Sequence, residues 1–345
     1  MDQVFSDIRE QAGIVASMAA DVSSWKDAVA AAKASGSRFV IFAARGTSHN
    51  AAMYGKYLAA VHAGLPAGVA IPSAATLYGA KVDLRDCLVV GISQSGRTPD
   101  VLDYVSEARQ RGAFTVAVTR DETSPIAAAA HAVVPTHAGA EEDHPATRTY
   151  TSHLAALALF WAAWSKDDKL VAALRDDVPA AMETVVELEA KIKRIAPRYR
   201  SREHLVTVAR GYNYATALET ALKLRETCHL FAAAYSGADL MHGQIAGIES
   251  GLPAIVFALP GRAYGYMTDV ARQLKRRGLD LLVVGPRGAA TELGTVAIEL
   301  PVEVPEPASP LVAVLPAQLL AYHLCKYMGL DPDSPGQAGH RSPLT

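Results

Sequence analysis

The chain is 345 residues long, half of them hydrophobic, with 33 Lys and Arg against 35 Asp and Glu for a formal net charge of −2. That length and apolar content suffice for two domain cores, and the near-neutral balance gives no broad positive field for nucleic acid or an anionic membrane. Cys87, Cys228 and Cys325 lie far apart without a CxxC pair, so neither a disulfide framework nor a zinc site is expected, only reduced and mostly buried thiols. The opening residues MDQVFSDIREQ carry acids where a signal peptide is basic, and the longest apolar run, 154–164, is too short to cross a bilayer. A soluble, cytoplasmic protein is expected.

Residues 1–35 place Val4, Ile8, Ile14, Val15 and Met18 at helical spacing and carry no strand signal. The run 38–44 reads as a strand ending in Arg45-Gly-Thr-Ser48, followed by a helical stretch through Leu58, the strand, tight turn and helix of an α/β unit. Further apolar strands at 68–71, 87–92, 114–118 and 132–134, separated by helix-length segments, predict a parallel sheet covered on both faces. A helical stretch from Thr151 to about Ile195 leads to a second set of strands at 204–209, 230–234, 254–258, 281–284 and 296–300.

The second set repeats the first. FVIFAARGTS at 39–48 stands against LVTVARGYN at 205–213, each an apolar strand ending in Ala-Arg-Gly before a helix. A last helix over 311–327 runs into the tail DPDSPGQAG at 331–339, rich in turn formers and either disordered or folded over a site. The expected fold is α/β, two tandem doubly wound, flavodoxin-like parallel-sheet domains. The partition is an N-terminal helical segment over 1–35, a first domain over 36–165, a helical linker over 166–200, a second domain over 201–330 and a tail over 331–345.

The segment Ser93-Gln-Ser-Gly-Arg-Thr-Pro-Asp100 follows the 87–92 strand and precedes a helix. In a parallel sheet this is where backbone N–H groups and the helix dipole favour an anion. Ser93, Ser95 and Thr98 add hydroxyls, Gln94 adds an amide, and Gly96 permits close backbone approach. The cluster suits a sugar monophosphate; the GxxxxGK[ST] loop that a nucleoside triphosphate favours is absent. A hydroxyl-rich turn that merely caps a helix has the same composition.

In the second half, Ala217-Leu-Glu-Thr-Ala-Leu-Lys-Leu-Arg-Glu226 puts Glu219, Lys223 and Glu226 at i, i+4 and i+7, one face of a helix. An aldose–ketose interconversion needs a base to move a proton between C1 and C2, a cation for the developing enediolate and an acid/base for ring opening. Glu226, Lys223 and His242 have the chemistry for these parts; a solvated helix face with a Glu–Lys pair, and a structural or exposed histidine, have the same residue types.

SQSGRTPD resembles the SQSGET-type phosphate signature of sugar isomerase (SIS) domains, and Arg45-Gly-Thr-Ser48 is similar to the earlier loop of that family. The stretch ALETALKLRETCHLFAAAYSGADLMHG is similar to the isomerase half of glucosamine-6-phosphate synthases and their relatives, including stand-alone glucosamine-6-phosphate deaminases. The resemblance runs from about 35 to 335, without the glutaminase domain of the synthases. It implies that Ser93, Gln94, Ser95 and Thr98 hold the phosphate and that Gly46, Thr47 and Ser48 lie near the sugar. It also implies Glu226 as the proton-shuttling base, Lys223 stabilising oxygen at the reacting carbons, Glu219 orienting the lysine and His242 opening the ring. The family's histidine comes from a neighbouring subunit, so a homodimer with shared sites is implied.

The sequence departs from the family at several points. Arg97 replaces an acid; His144, Pro145 and Ala146 replace Val, Ala and Ser in the stretch beginning at Glu141. Ala233, Asp239, Met241 and Gln244 replace Glu, Glu, Lys and Pro, and His340 stands where the family's tail has a lysine able to form a Schiff base. The expectation is a sugar-phosphate isomerase that isomerises and deaminates glucosamine 6-phosphate to fructose 6-phosphate and ammonia, with no metal and no organic cofactor. The alternatives are another ketose/aldose phosphate isomerase or deglycase, or a non-catalytic sugar-phosphate sensor.

Overall fold

The computed structural model describes residues 2–141, 145–301 and 303–334. The expectations placed on His144 and on His340, with the tail beyond 334, lie outside the described residues.

Strands β1 (Phe39–Ala44), β2 (Ala67–Val69), β3 (Cys87–Ile92), β4 (Phe114–Thr119) and β5 (Ala132–Pro135) pair in parallel in the order β2-β1-β3-β4-β5. Strands β6 (His204–Ala209), β7 (Phe231–Ser236), β8 (Pro253–Phe257), β9 (Asp280–Pro286) and β10 (Val296–Leu300) pair in parallel in the order β7-β6-β8-β9-β10. Both sheets therefore have the flavodoxin-like 2-1-3-4-5 order, whose ligand crevice lies where the order reverses, beside the ends of the first and third strands. The central strands β3 and β8 are buried along their whole length, as strands covered on both faces must be. The duplicated α/β fold expected from the sequence is the one observed.

The chain groups into two compact units that are not linear in sequence. One holds 11–140 and 148–180; the other holds the residues up to Glu10, the segment Glu141–Thr147 and the chain from Ala181 onward. In the first, the helix Arg148–Ser165 is buried almost throughout, which its run of Ala, Leu, Phe and Trp demands. In the second, the helix Ser309–Tyr327 plays that part. Together with the turn before it, Glu306–Tyr327 is long and apolar enough to cross a membrane, yet 94% of its most apolar window is buried inside the protein. Cys87, Cys228 and Cys325 are free and buried, and burial pushes the Cys228 thiol up to about 12.

The helical segments are more broken than their periodicity predicts. Residues 1–35 form two helices, Gln3–Ala20 and Val22–Ala34, separated at Asp21. The stretch expected over 151–195 is four helices, Arg148–Ser165, Asp168–Arg175, Asp177–Val186 and Glu189–Ile195. Lys166 has φ +60°, which ends the first, and the Asp167 carboxylate caps the next by accepting from Leu170 N at 3.0 Å.

Within the second unit the start of the chain is clasped to its far end. Asp333 accepts from the backbone N–H of Gln3 at 2.7 Å and of Val4 at 2.9 Å, capping the first helix, while the Asp2 carboxylate accepts from Tyr322 Oη and, at 3.0 Å, from Lys326 Nζ.

Candidate functional site

In the first unit, β1 and β3 end side by side, Ala44 paired with Ile92. The loops that leave them carry all seven residues expected to bind substrate. After β3, Ser93 is buried and its Oγ lies 3.0 Å from Thr98 Oγ1 while accepting from Gly96 N at 3.2 Å. Ser95 Oγ accepts from Arg97 N at 3.3 Å. Gly96 has φ +67°, and a Cβ there would stand 2.2 Å from Ser124 Oγ, so the turn requires glycine. The helix Pro99–Gln110 opens with proline at its first position, and Thr98, at its N-cap, makes no side-chain capping bond. A turn built only to cap its helix would spend that hydroxyl on the helix; here it faces Ser93.

Gln94 has partners on both its side chain and its backbone. Its Nε2 donates to Gly139 O at 3.2 Å and its backbone carbonyl accepts from Thr119 Oγ1 at 3.1 Å and Arg120 N at 3.2 Å. It braces the loop against β4 and the segment that follows β5. After β1, Gly46 at φ +53° opens the helix Gly46–Ala63, whose first turn carries Thr47 and Ser48, both buried. Arg45 Nε donates to Asp100 Oδ2 at 3.1 Å, which ties the two loops together. His49, next to Ser48, is held below its ordinary value by burial and then by the charges of Arg45 and Lys56.

In the second unit the helix Tyr214–Cys228 follows β6, as the Gly46–Ala63 helix follows β1. Its Glu219, Lys223 and Glu226 are not a solvated face. Side-chain exposure is 0% for Glu219, 3% for Lys223 and 22% for Glu226, and Lys223 Nζ lies 2.6 Å from Glu226 Oε2 and 3.5 Å from Glu219 Oε1. Burial pulls the Lys223 ammonium down, but the carboxylates of Glu219, Glu226 and Glu141, with the hydrogen bond to Glu226, outweigh it and leave its pKa raised. The lysine is thus a fixed cation and Glu226 the carboxylate of the set that solvent reaches.

Glu141 is a member of this cluster that sequence reasoning did not assign a role. It is buried, and its Oε1 accepts from Thr147 N at 2.7 Å and Thr147 Oγ1 at 2.9 Å. Gln318 Nε2, from the last helix, donates to Thr147 O at 3.2 Å. The sequence signal was the acidic stretch beginning at Glu141, but nothing in the spacing connects it to a helix some 80 residues further on.

His242 does not join the cluster through any hydrogen bond among the described residues. It lies exposed at the C-terminal end of the short helix Gly237–Met241, its backbone N–H donating to Ala238 O and Asp239 O at 3.1 Å. No group of three or more His, Cys, Asp and Glu side chains is placed to hold a metal ion among the described residues.

A duplicated doubly wound sheet, with a hydroxyl-lined loop in one copy and a buried carboxylate–ammonium cluster in the other, defines a tandem-domain α/β protein. Within that class the chain belongs to the SIS domain family, whose model matches residues 35–163 and 198–326. It is 33% identical over 301 residues to a glutamine–fructose-6-phosphate aminotransferase (isomerizing) of Aquifex aeolicus, covering 86% of this chain and 50% of that protein. It is 34% identical over 302 residues to the protein of the same description from Methanothermobacter thermautotrophicus, again covering 86% and 50%. The chain thus spans about half the length of the curated relatives it matches. The solved C-terminal domain of glucosamine-fructose-6-phosphate aminotransferase from Francisella tularensis superposes with a TM-score of 0.88 at 25% identity, over 97% of this chain and 98% of that one.

Proposed function

We propose that the protein is a sugar-phosphate isomerase acting on an amino-sugar or ketose 6-phosphate, and that its reaction is the isomerising deamination of glucosamine 6-phosphate to fructose 6-phosphate and ammonia. The observation that carries this reading is the Glu219–Lys223–Glu226 set, an ammonium fixed between two carboxylates of which one is reachable. Such a pairing of a proton acceptor with an adjacent permanent cation is what a 1,2-proton shift beside a carbonyl requires. The similarity to aminotransferases that act on fructose 6-phosphate by description supports the substrate class.

In this reading the hydroxyls of Ser93, Ser95 and Thr98 and the N-terminus of the 99–110 helix take the phosphate. Ring opening gives an aldehyde at C1 and an acidified C–H at C2. Glu226 removes the C2 proton and returns it to C1, while a proton passes from the amino nitrogen to O1. Lys223 stabilises the negative charge that develops on O1. The resulting imine at C2 takes up one water, releasing ammonia and leaving the ketone of fructose 6-phosphate. Glu219 and Glu141 hold the lysine charged and oriented. The exposure of His242 supports its assignment as the ring-opening residue, delivered to a neighbouring copy in a homodimer. A cytoplasmic location belongs to the same proposal.

The test is ammonia release from glucosamine 6-phosphate by the purified protein and by Glu226→Gln, beside a thermal-shift panel of hexose and pentose phosphates. Release that disappears in the variant supports the deaminase. A thermal shift with turnover of a different sugar phosphate moves the reaction to another isomerase or deglycase; a shift without turnover of any member overturns the enzyme reading in favour of a sensor.

A further inference from the structure

The two sheets share more than their strand order. Ala43 pairs with Gly91 between β1 and β3, and Val208 pairs with Val256 between β6 and β8; aligning the two Ala-Arg-Gly openings makes these the same pair. At the next strand, Ser93 N donates to Val118 O at 3.1 Å and Ala258 N to Val284 O at 2.9 Å, again at equivalent places. The loop after β3, Ser-Gln-Ser-Gly-Arg-Thr at 93–98, therefore corresponds residue for residue to the loop after β8, Ala-Leu-Pro-Gly-Arg-Ala at 258–263. Both lead into a long helix, Pro99–Gln110 and Tyr264–Arg276. The Gly-Arg pair is kept and each hydroxyl is gone: Ser93, Ser95 and Thr98 become Ala258, Pro260 and Ala263.

The second loop nonetheless holds an anion, and it is the chain's own. The Glu306 carboxylate accepts from Arg262 N at 2.8 Å and from Ala263 N at 3.4 Å, at the mouth of the 264–276 helix. Gly261, at φ +141°, makes room for it, since a Cβ there would lie 2.2 Å from Glu306 Cδ. The counterpart of the first unit's Thr47-Ser48 is Tyr212-Asn213. Asn213 Nδ2 donates to Ser309 Oγ at 2.7 Å, and Ser309 Oγ donates to Glu306 O at 2.8 Å, so this loop too is engaged in holding Glu306 in place. The carboxylate's charge is felt nearby: burial first, and then Glu306, push the Tyr212 hydroxyl up to about 12.

We infer that the second half carries an anion seat equivalent to the Ser93–Thr98 loop and closed by the internal carboxylate of Glu306, which leaves the 93–98 loop as the open member of the pair. This rests on reading the 93–98 loop as a phosphate seat. Loss of the three hydroxyls leaves backbone amides as this loop's donors to an anion, and those of Arg262 and Ala263 are satisfied by the Glu306 carboxylate. Glu306 thereby keeps phosphate esters off the 258–263 loop.

Inorganic phosphate is the probe, and the melting temperature of the full chain is the readout. In a Ser93→Ala/Thr98→Ala background, with Glu306 intact, phosphate is expected to leave the melting temperature unchanged. Adding Glu306→Ala to that background is expected to bring in a rise that grows with the logarithm of phosphate concentration. Glu306→Gln, which keeps an acceptor for Arg262 N without the charge, is expected to give a smaller rise, and it decides the matter if the alanine variant does not fold. A folded variant at Glu306 with no phosphate response, or a response in the background with Glu306 intact that Arg262→Pro abolishes, overturns the inference. A parent protein that ignores phosphate would sink the reading of the 93–98 loop instead, and the Glu306→Ala arm would still stand or fall on its own.

Discussion

The Nζ of Lys223 and Oε2 of Glu226 lie 2.6 Å apart on one helix, the lysine buried and the glutamate 22% exposed. This asymmetry separates stability from chemistry. Lys223→Met removes the cation 3.5 Å from the buried Glu219 carboxylate, and is expected to cost about 3–5 kcal/mol of folding stability by denaturant melts. Glu226→Gln keeps the shape at the reachable end and is expected to melt close to the parent while turnover falls by about 10²–10⁴-fold. Equal losses of stability in the two variants would contradict this division.

Gly96 and Gly46 both sit at positive φ but in different surroundings. A Cβ at Gly46 meets nothing within 4 Å, so Gly46→Ala is expected to cost about 1 kcal/mol, for the left-handed backbone alone. Gly96→Ala adds the collision with Ser124 and is expected to cost more and to weaken the thermal shift given by phosphate. The comparison is read from the two chemical melts and one phosphate titration; a Gly96→Ala protein that matches Gly46→Ala in both would show that the turn relaxes freely.

Glu141 supports the lysine from outside the helix. Glu141→Ala strips the acceptor from two donors of Thr147, which is expected to cost about 1–3 kcal/mol. It also removes one of the carboxylates that keep Lys223 raised, so the lysine is expected to titrate lower than in the parent. Thr147→Ala, which keeps the carboxylate, is expected to disturb stability but not the alkaline limb of the pH–rate profile. The two profiles, measured side by side, check this.

His49, His62, His131 and His323 are all held below the ordinary histidine value, in each case by burial first. A histidine whose pKa is lowered on folding contributes stability that is present above 6.5, the unfolded value, and lost as pH falls from there through the folded one. The melting temperature is therefore expected to decline between pH 7 and pH 5. His323, buried with Nε2 3.2 Å from Glu189 Oε1, is expected to account for part of that slope, and His323→Gln to flatten it. A pH-independent melting temperature across that window would contradict the assignment.

The sheets were legible because buried parallel strands are continuous apolar runs, and 39–44 and 205–209 even share their Ala-Arg-Gly ending. The 93–98 loop was legible because hydroxyls, glycine and strand–helix context coincide there. The breaks at Asp21 and Lys166 were not, since apolar periodicity continues across them and only the backbone turns. Gln94 reads as a ligand donor by residue type, and its amide also donates to Gly139 O, a partner no local spacing reveals. Glu141 and Glu306 were invisible for the same reason, each acting on residues tens of positions away. The 258–263 loop escaped notice because the hydroxyls that mark its counterpart are missing, and only the shared register exposes the kinship.

The clasp at Asp2, Gln3 and Val4 joins positions whose partners, Tyr322, Lys326 and Asp333, come more than 300 residues later. During synthesis on the ribosome the first helix emerges long before those partners exist, so its opening turn must remain uncapped while both sheets are being laid down. Closing that contact must then wait until every strand of both sheets has been made, a seal set only after residue 333 has cleared the exit tunnel.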